Sequence, residues 1–177
     1  ARAQADIVAI SFHWGIHFTP AVIPMYGFEV GHAAIEAGAD LILGHHAHIL
    51  KGIEVYQGKV IFHGLGNFAM ENREPLTPAR LAMREPYYNI QPDPEYLTYP
   101  YHPEAKRTII AKAVIAEKKI ARVSYLPCYI NKRAEPEILS THDPRSQEVY
   151  NYMQQISESQ HLNVSYSWDG EEVIISG

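Results

Sequence analysis

Residues 6–12, Asp-Ile-Val-Ala-Ile-Ser-Phe, form an almost unbroken apolar run, the pattern of a strand buried on both faces. Pro20 and Pro24 then mark entry to a helix that carries Phe28, Ala34, Ile35 and Ala37 on one side and stops near Gly38. A second buried strand is expected at once, from Asp40 to Gly44. Strand, helix, strand with short connections is the crossover unit of a parallel pair, so the two strands end at the same edge of one sheet.

Gly52 to Tyr56 and Val60 to Phe62 read as two strands around Gln57-Gly58-Lys59, a turn that favours a hairpin. Gly64-Leu65-Gly66-Asn67 follows, and two glycines beside a strand end place Asn67 where the chain bends. Between Glu71 and Glu104 seven prolines interrupt any periodicity and five tyrosines decorate the segment. So long an irregular stretch reads as an insertion serving as a lid or a partner surface. Residues 107–116 and 120–126 predict a second, longer hairpin about Glu117-Lys118-Lys119. Pro144 to Gln160 predicts a helix burying Val149, Tyr152, Met153 and Ile156, and Asp169-Gly170 closes a last hairpin between residues 164–168 and 172–175.

The 177 residues suffice for one globular domain. A formal charge of −5 gives no basic surface for nucleic acid. Cys128 is the sole cysteine, which excludes an intrachain disulfide and any multi-cysteine zinc site. No run reaches the eighteen or so apolar residues of a spanning helix. The chain has no starting Met and enters a strand almost immediately, and is expected to be part of something longer.

Seven of the ten histidines fall between positions 13 and 63, and that concentration carries the chemistry. His45, His46 and His48 cluster at the end of the second strand, and His13 lies at the end of the first. Neutral imidazole is the commonest metal ligand, and Zn, Mn or Fe suits a site of imidazole and carboxylate. If the backbone stays extended, His46 and His48 share a face and His45 turns away towards packing. A tighter turn would instead pair His45 with His48. His13, His46 and His48 are the expected metal ligands, and His17 is either a substrate contact or solvated. His32 and His63 are expected to be satisfied by local partners, as are His102, His142 and His161. Asp40 precedes its strand, at the end opposite His46; Glu54 is a candidate neighbour of the site, but as a lone strand carboxylate it is expected to be solvated. Two metal ions about 3.5–4 Å apart need a bridging carboxylate as well, which these residues do not supply.

These residues together resemble the capsule-synthesis protein CapA family, poly-gamma-glutamate biosynthesis proteins with a metallophosphatase-like (calcineurin-like phosphoesterase) domain. The resemblance rests on His13-Trp14-Gly15, on residues 37–48 from Ala-Gly-Ala-Asp through Gly-His-His-Ala-His, on Ile53-Glu54-Val55-Tyr56 with Gly58-Lys59, and on Leu65-Gly66-Asn67-Phe68. It implies a layered α/β (α+β) αββα sandwich, of which residues 1–177 would be a single partial domain, the carboxyl-terminal part. It implies further that two divalent ions, Mn, Fe or Zn, are held by His13 and His46 at one position and His48 at the other. Asp and Asn ligands would come from an amino-terminal half. Asn67 and His17 would meet an acidic polymer or phosphoester substrate. The activity implied is that of a metal-dependent hydrolase or transferase, with the 177 residues inactive by themselves. The alternative is a metal-stabilised scaffold or polymer-handling subunit of membrane-associated capsule machinery, in the bacterial cell envelope. The chain carries His17 where relatives often have an acidic residue, and Ala47 where many have Pro.

Overall fold

The computed structural model describes residues 1–70, 77, 79, 93, 95, 96, 98, 99 and 101–177. Its elements are β1 (Ala9–Trp14), α1 (Met25–Glu36), β2 (Leu41–His46), β3 (Ile53–Tyr56), β4 (Lys59–Phe62), β5 (Arg107–Ala116), β6 (Lys119–Ile130), β7 (Pro136–Ile138), α2 (Pro144–Ser159), β8 (Ser165–Asp169) and β9 (Glu172–Ser176). They form a mixed α/β sandwich of two sheets. One has the order β1-β2-β4-β3, and the other has β5-β6-β9-β8 with β7 paired to β6.

Side-chain alternation explains the layering. In β2, Leu41 and Leu43 face the second sheet while Ile42 faces α1; in β4, Val60 and Phe62 face the second sheet while Ile61 faces α1. The first sheet is therefore buried on both sides at its centre, which is why its strands read as continuous apolar runs. Between the sheets, Leu41, Ile53, Val60 and Phe62 pack with Ile109, Val123, Tyr125 and Val173, and Val149, Met153 and Ile156 of α2 seal the same core. Tyr152, expected on that stripe, is half-buried beside it.

The parallel pairing of β1 with β2 follows the expected crossover, with Ala9 opposite Leu41 and Trp14 opposite His46. One expectation for β1 is overturned. Its apolar run predicts cover on both faces, yet Ala9, Ser11 and His13 are exposed and only β2 pairs with it among the described residues. Ile10, Phe12 and Trp14 do pack on the α1 side. The opposite face is open because the second sheet reaches under Leu41 and Leu43 but not under their β1 neighbours.

Three strand ends are tied together at Gly44. The Trp14 indole Nε1 donates to the His63 carbonyl at 3.0 Å, crossing directly over Gly44. A Cβ on Gly44 would lie 2.4 Å from both Trp14 Nε1 and His63 O and 2.6 Å from Phe62 O. Only glycine leaves that path clear. The amino end of β2 is secured by Asp40, which accepts from Lys59 at 2.8 Å and from the Val8 amide at 3.0 Å and pairs with Arg2. Burial pushes the Asp40 carboxyl up, but these donors outweigh it and hold its pKa at about 2.

The lid or partner-surface role read for residues 71–104 lies largely outside the described residues. Two that are described are docked: Tyr99 is buried with Ile130 and Ala134, and the Thr98 hydroxyl donates to Lys132 O at 2.7 Å.

Gly44→Ala is expected to cost about 2–3 kcal/mol, because neither backbone carbonyl can yield without opening a strand end. Urea denaturation reads this directly, and a variant as stable as the parent would contradict the role given to the crossing.

Candidate functional site

The β1–β2 register sets His13 opposite His45 and Trp14 opposite His46. Adjacent parallel strands thus bring residues more than thirty positions apart to one sheet edge. The Nδ1 atoms of His13 and His45 lie 3.1 Å apart, so one ring donates to the other. The rings then continue in a line: His13 to His46 at 4.3 Å, His46 to His17 at 3.9 Å and His17 to His48 at 5.5 Å between centroids.

The condition attached to the strand argument, that the backbone stays extended through the triplet, is not met. His46 has φ 97° and His48 φ 60°, both left-handed. Such a conformation costs a non-glycine residue on the order of 1–3 kcal/mol and gathers at functional sites. The chain turns at His46 rather than running on, so His45 does not turn away; it faces His13, and His46 and His48 both meet His17.

His48 has the most elaborate surroundings. Its ring packs against Phe18, at 5.5 Å and 18°, and Tyr101, at 5.9 Å and 22°, which also meet each other at 6.0 Å. Its Nδ1 is 2.6 Å from Asn67 Oδ1, and Asn67, at 4% exposure, is buried where the glycine-rich bend was expected to project it. Phe18, Tyr101 and the buried Tyr99 were not anticipated at the site. Nothing in local pattern points to them, since two come from an aperiodic segment.

Electrostatics disfavour the charged forms of His17 and His46. The pKa values of His17 and His46 are lowered, by burial first and then by crowding from the neighbouring imidazoles. Their lone pairs thereby remain available for a metal ion or a proton. Among the described residues, no group of three His, Cys, Asp or Glu side chains is arranged to hold an ion. The donor set fits the imidazole portion of a metal centre and lacks its carboxylates. Asp40 is at the far end of β2, as expected, with Arg2 and Lys59.

Glu54 is not the solvated strand carboxylate expected. It is 8% exposed and bridges two imidazoles, His32 Nε2 at 2.8 Å and His63 Nε2 at 3.0 Å. Strand β3 pairs antiparallel with β4 at the sheet edge, and alternation there turns Glu54 towards α1, where His32 and His63 wait. Burial pushes its carboxyl up, but the two imidazoles overcome this and its pKa falls below the ordinary value. His32 and His63 thus each have Glu54 as the expected local partner, although the buried Nδ1 of His63 has no hydrogen-bond partner among the described residues, and His32 also stacks on Tyr56 at 3.7 Å. His102 accepts from the Glu104 amide at a short helical turn, its expected local role.

Lys51 also escaped the sequence reading. It is 1% exposed, its Nζ donates to the Thr19 carbonyl, and burial pulls its pKa down to about 8. It therefore anchors the loop that carries His17 from beneath.

Residues 1–72 match the family model described as bacterial capsule synthesis protein PGA_cap. Over 71 residues the chain is 44% identical to the PGA biosynthesis protein CapA of Bacillus subtilis (strain 168), covering 40% of this chain and 18% of that protein. It is 37% identical over 70 residues to the capsule biosynthesis protein CapA of Bacillus anthracis, covering 40% and 17%. A probable polyglutamine synthesis accessory protein of Mycobacterium tuberculosis is 39% identical over 66 residues, covering 37% and 17%. The chain thus spans under a fifth of the length of these curated relatives. The matched stretch holds the whole first sheet, together with His13, His17, His46, His48 and Asn67.

The bridged Glu54 has a consequence for acid stability. Its folded pKa lies below the unfolded value, so its contribution is present above the ordinary carboxylate range and is lost as pH falls through the folded pKa. Glu54→Gln is therefore expected to flatten the acid limb of a stability–pH curve. An unchanged limb would show that Glu54 contributes nothing there.

Proposed function

With residues 1–72 taken as a segment of a CapA-family capsule synthesis protein, we propose that this chain supplies the imidazole portion of a divalent-metal site in capsule or poly-gamma-glutamate biosynthesis. The proposed activity is that of a hydrolase or transferase acting on a phosphoester or an amide-linked acidic polymer. The observation that carries the reading is the run of contacting imidazoles at the carboxyl ends of β1 and β2, with left-handed backbone at His46 and His48.

His13, His46 and His48 would hold the metal, two ions of Mn, Fe or Zn in the complete centre. When bound, such ions polarise a substrate oxygen and lower the pKa of water. The chain's own residues have separate tasks. Asn67 orients His48, Lys51 secures the loop of His17, and His17 stands between His46 and His48 to accept or donate a hydrogen bond at the substrate. The carboxylates of the centre would come from a further part of the domain, an amino-terminal half in the same chain or a partner. As part of capsule machinery, the site would lie at the bacterial cell envelope. The second reading is a metal-stabilised scaffold or polymer-handling subunit.

Calorimetric titration of the 177-residue chain with Zn²⁺ or Mn²⁺ is expected to show binding that His46→Ala and His48→Ala each weaken about tenfold or more, with no hydrolysis of a phosphodiester reporter. No binding at all, or binding indifferent to both substitutions, would remove the metal site. Robust metal-dependent turnover by this chain would show that it needs no further carboxylates. Restoring the rest of the domain separates the two readings. Activity lost with the metal marks the enzyme, and lost thermal stability alone marks the scaffold.

A further inference from the structure

We propose that Tyr99 is a positioning residue that fixes the tautomer of His48 through Asn67, leaving His48 Nε2 as a lone-pair donor. The argument is one of hydrogen-bond polarity. The Tyr99 hydroxyl lies 2.8 Å from the Ala105 carbonyl, which can only accept, so its single proton is committed there. Towards Asn67, 2.7 Å away, the hydroxyl can then only accept, and the amide must present Nδ2–H. That turns Asn67 Oδ1 to His48, 2.6 Å from Nδ1. An amide oxygen only accepts, so His48 carries its proton on Nδ1 and keeps Nε2 bare.

The surroundings favour this reading. Tyr99 is 2% exposed and Ala105 fully buried, so no solvent competes for either group. Burial also pushes the Tyr99 phenol up, so it stays protonated. Reversing the Asn67 amide would require the Tyr99 proton to leave Ala105 O, orphaning a buried carbonyl at a cost of about 1–3 kcal/mol. Phe18 and Tyr101 both pack against the imidazole and restrict its rotation. Tyr99 lies outside residues 1–72, so a side chain beyond the family match sets the state of a histidine within it.

The tautomer assignment stands on hydrogen bonding alone; only the use of Nε2 for metal rests on the function proposed above. Long-range ¹H–¹⁵N spectra of the 177-residue chain, labelled at histidine, read the tautomer directly. The parent is expected to show His48 as the Nδ1–H form. Tyr99→Phe keeps the ring and frees the amide, and should shift His48 towards Nε2–H. Adding Asn67→Asp should restore Nδ1–H, because both carboxylate oxygens accept. An Nε2–H form in the parent, or no change in Tyr99→Phe, overturns the proposal, and the parent spectrum decides even if the variants fail to fold. Zn²⁺ affinity in Tyr99→Phe should fall about tenfold, as for other groups that orient a ligating histidine. A shifted tautomer with unchanged affinity upholds the relay and removes His48 from the metal site.

Discussion

The indole of Trp14 reaching His63 across Gly44 is the contact on which the candidate site depends. It joins the ends of β1, β2 and β4 within one hydrogen-bond length, and these ends carry His13, His46 and His63. Parallel strands alone would put His13 and His46 on the same edge without fixing their separation. The buried indole N–H fixes it, since losing its partner would leave an unsatisfied donor among apolar neighbours. Gly44 is then a requirement of geometry, not of flexibility, and the strained turn at His46 begins two residues beyond it.

Above and below that tie the charges are separated. The edge of the sheet holds His17 and His46, whose charged forms burial and mutual crowding disfavour, whereas the α1 side holds Glu54 between two histidines. A carboxylate among the upper rings would favour their protonated forms. By tying Glu54 to His32 and His63, the fold keeps that carboxylate engaged away from the lone pairs that a metal would need. Lys51 adds a cation that is itself only weakly held, with burial pulling it to about 8 and a backbone carbonyl as partner.

The parallel crossover was readable because apolar runs, prolines and Gly38 all mark it locally, and β1 and β2 fall within a few residues of their expected places. So was the gathering of His13 with the triplet, which needs only topology. The exposure of β1 was not readable, because a run of Ile, Val and Phe records preference for cover and not how far the opposing sheet extends. The roles of Glu54 and Lys51 were missed for a related reason: a charged residue in a strand carries no mark of the partner that burial supplies. Tyr99 was hidden further, since its function lies in the direction of one hydroxyl proton within a segment without periodicity.

The open side of β1 finally imposes arithmetic on any strand that comes to lie against it. Successive residues there face alternate sides, with Ile10, Phe12 and Trp14 towards α1 and Ala9, Ser11 and His13 towards the exposed face. A neighbour can slide along β1 by two residues and keep its sides, but a slip of one exchanges them. The histidine-bearing face therefore admits partners by parity: of two otherwise equal alignments one residue apart, only one can present an acidic side chain beside His13.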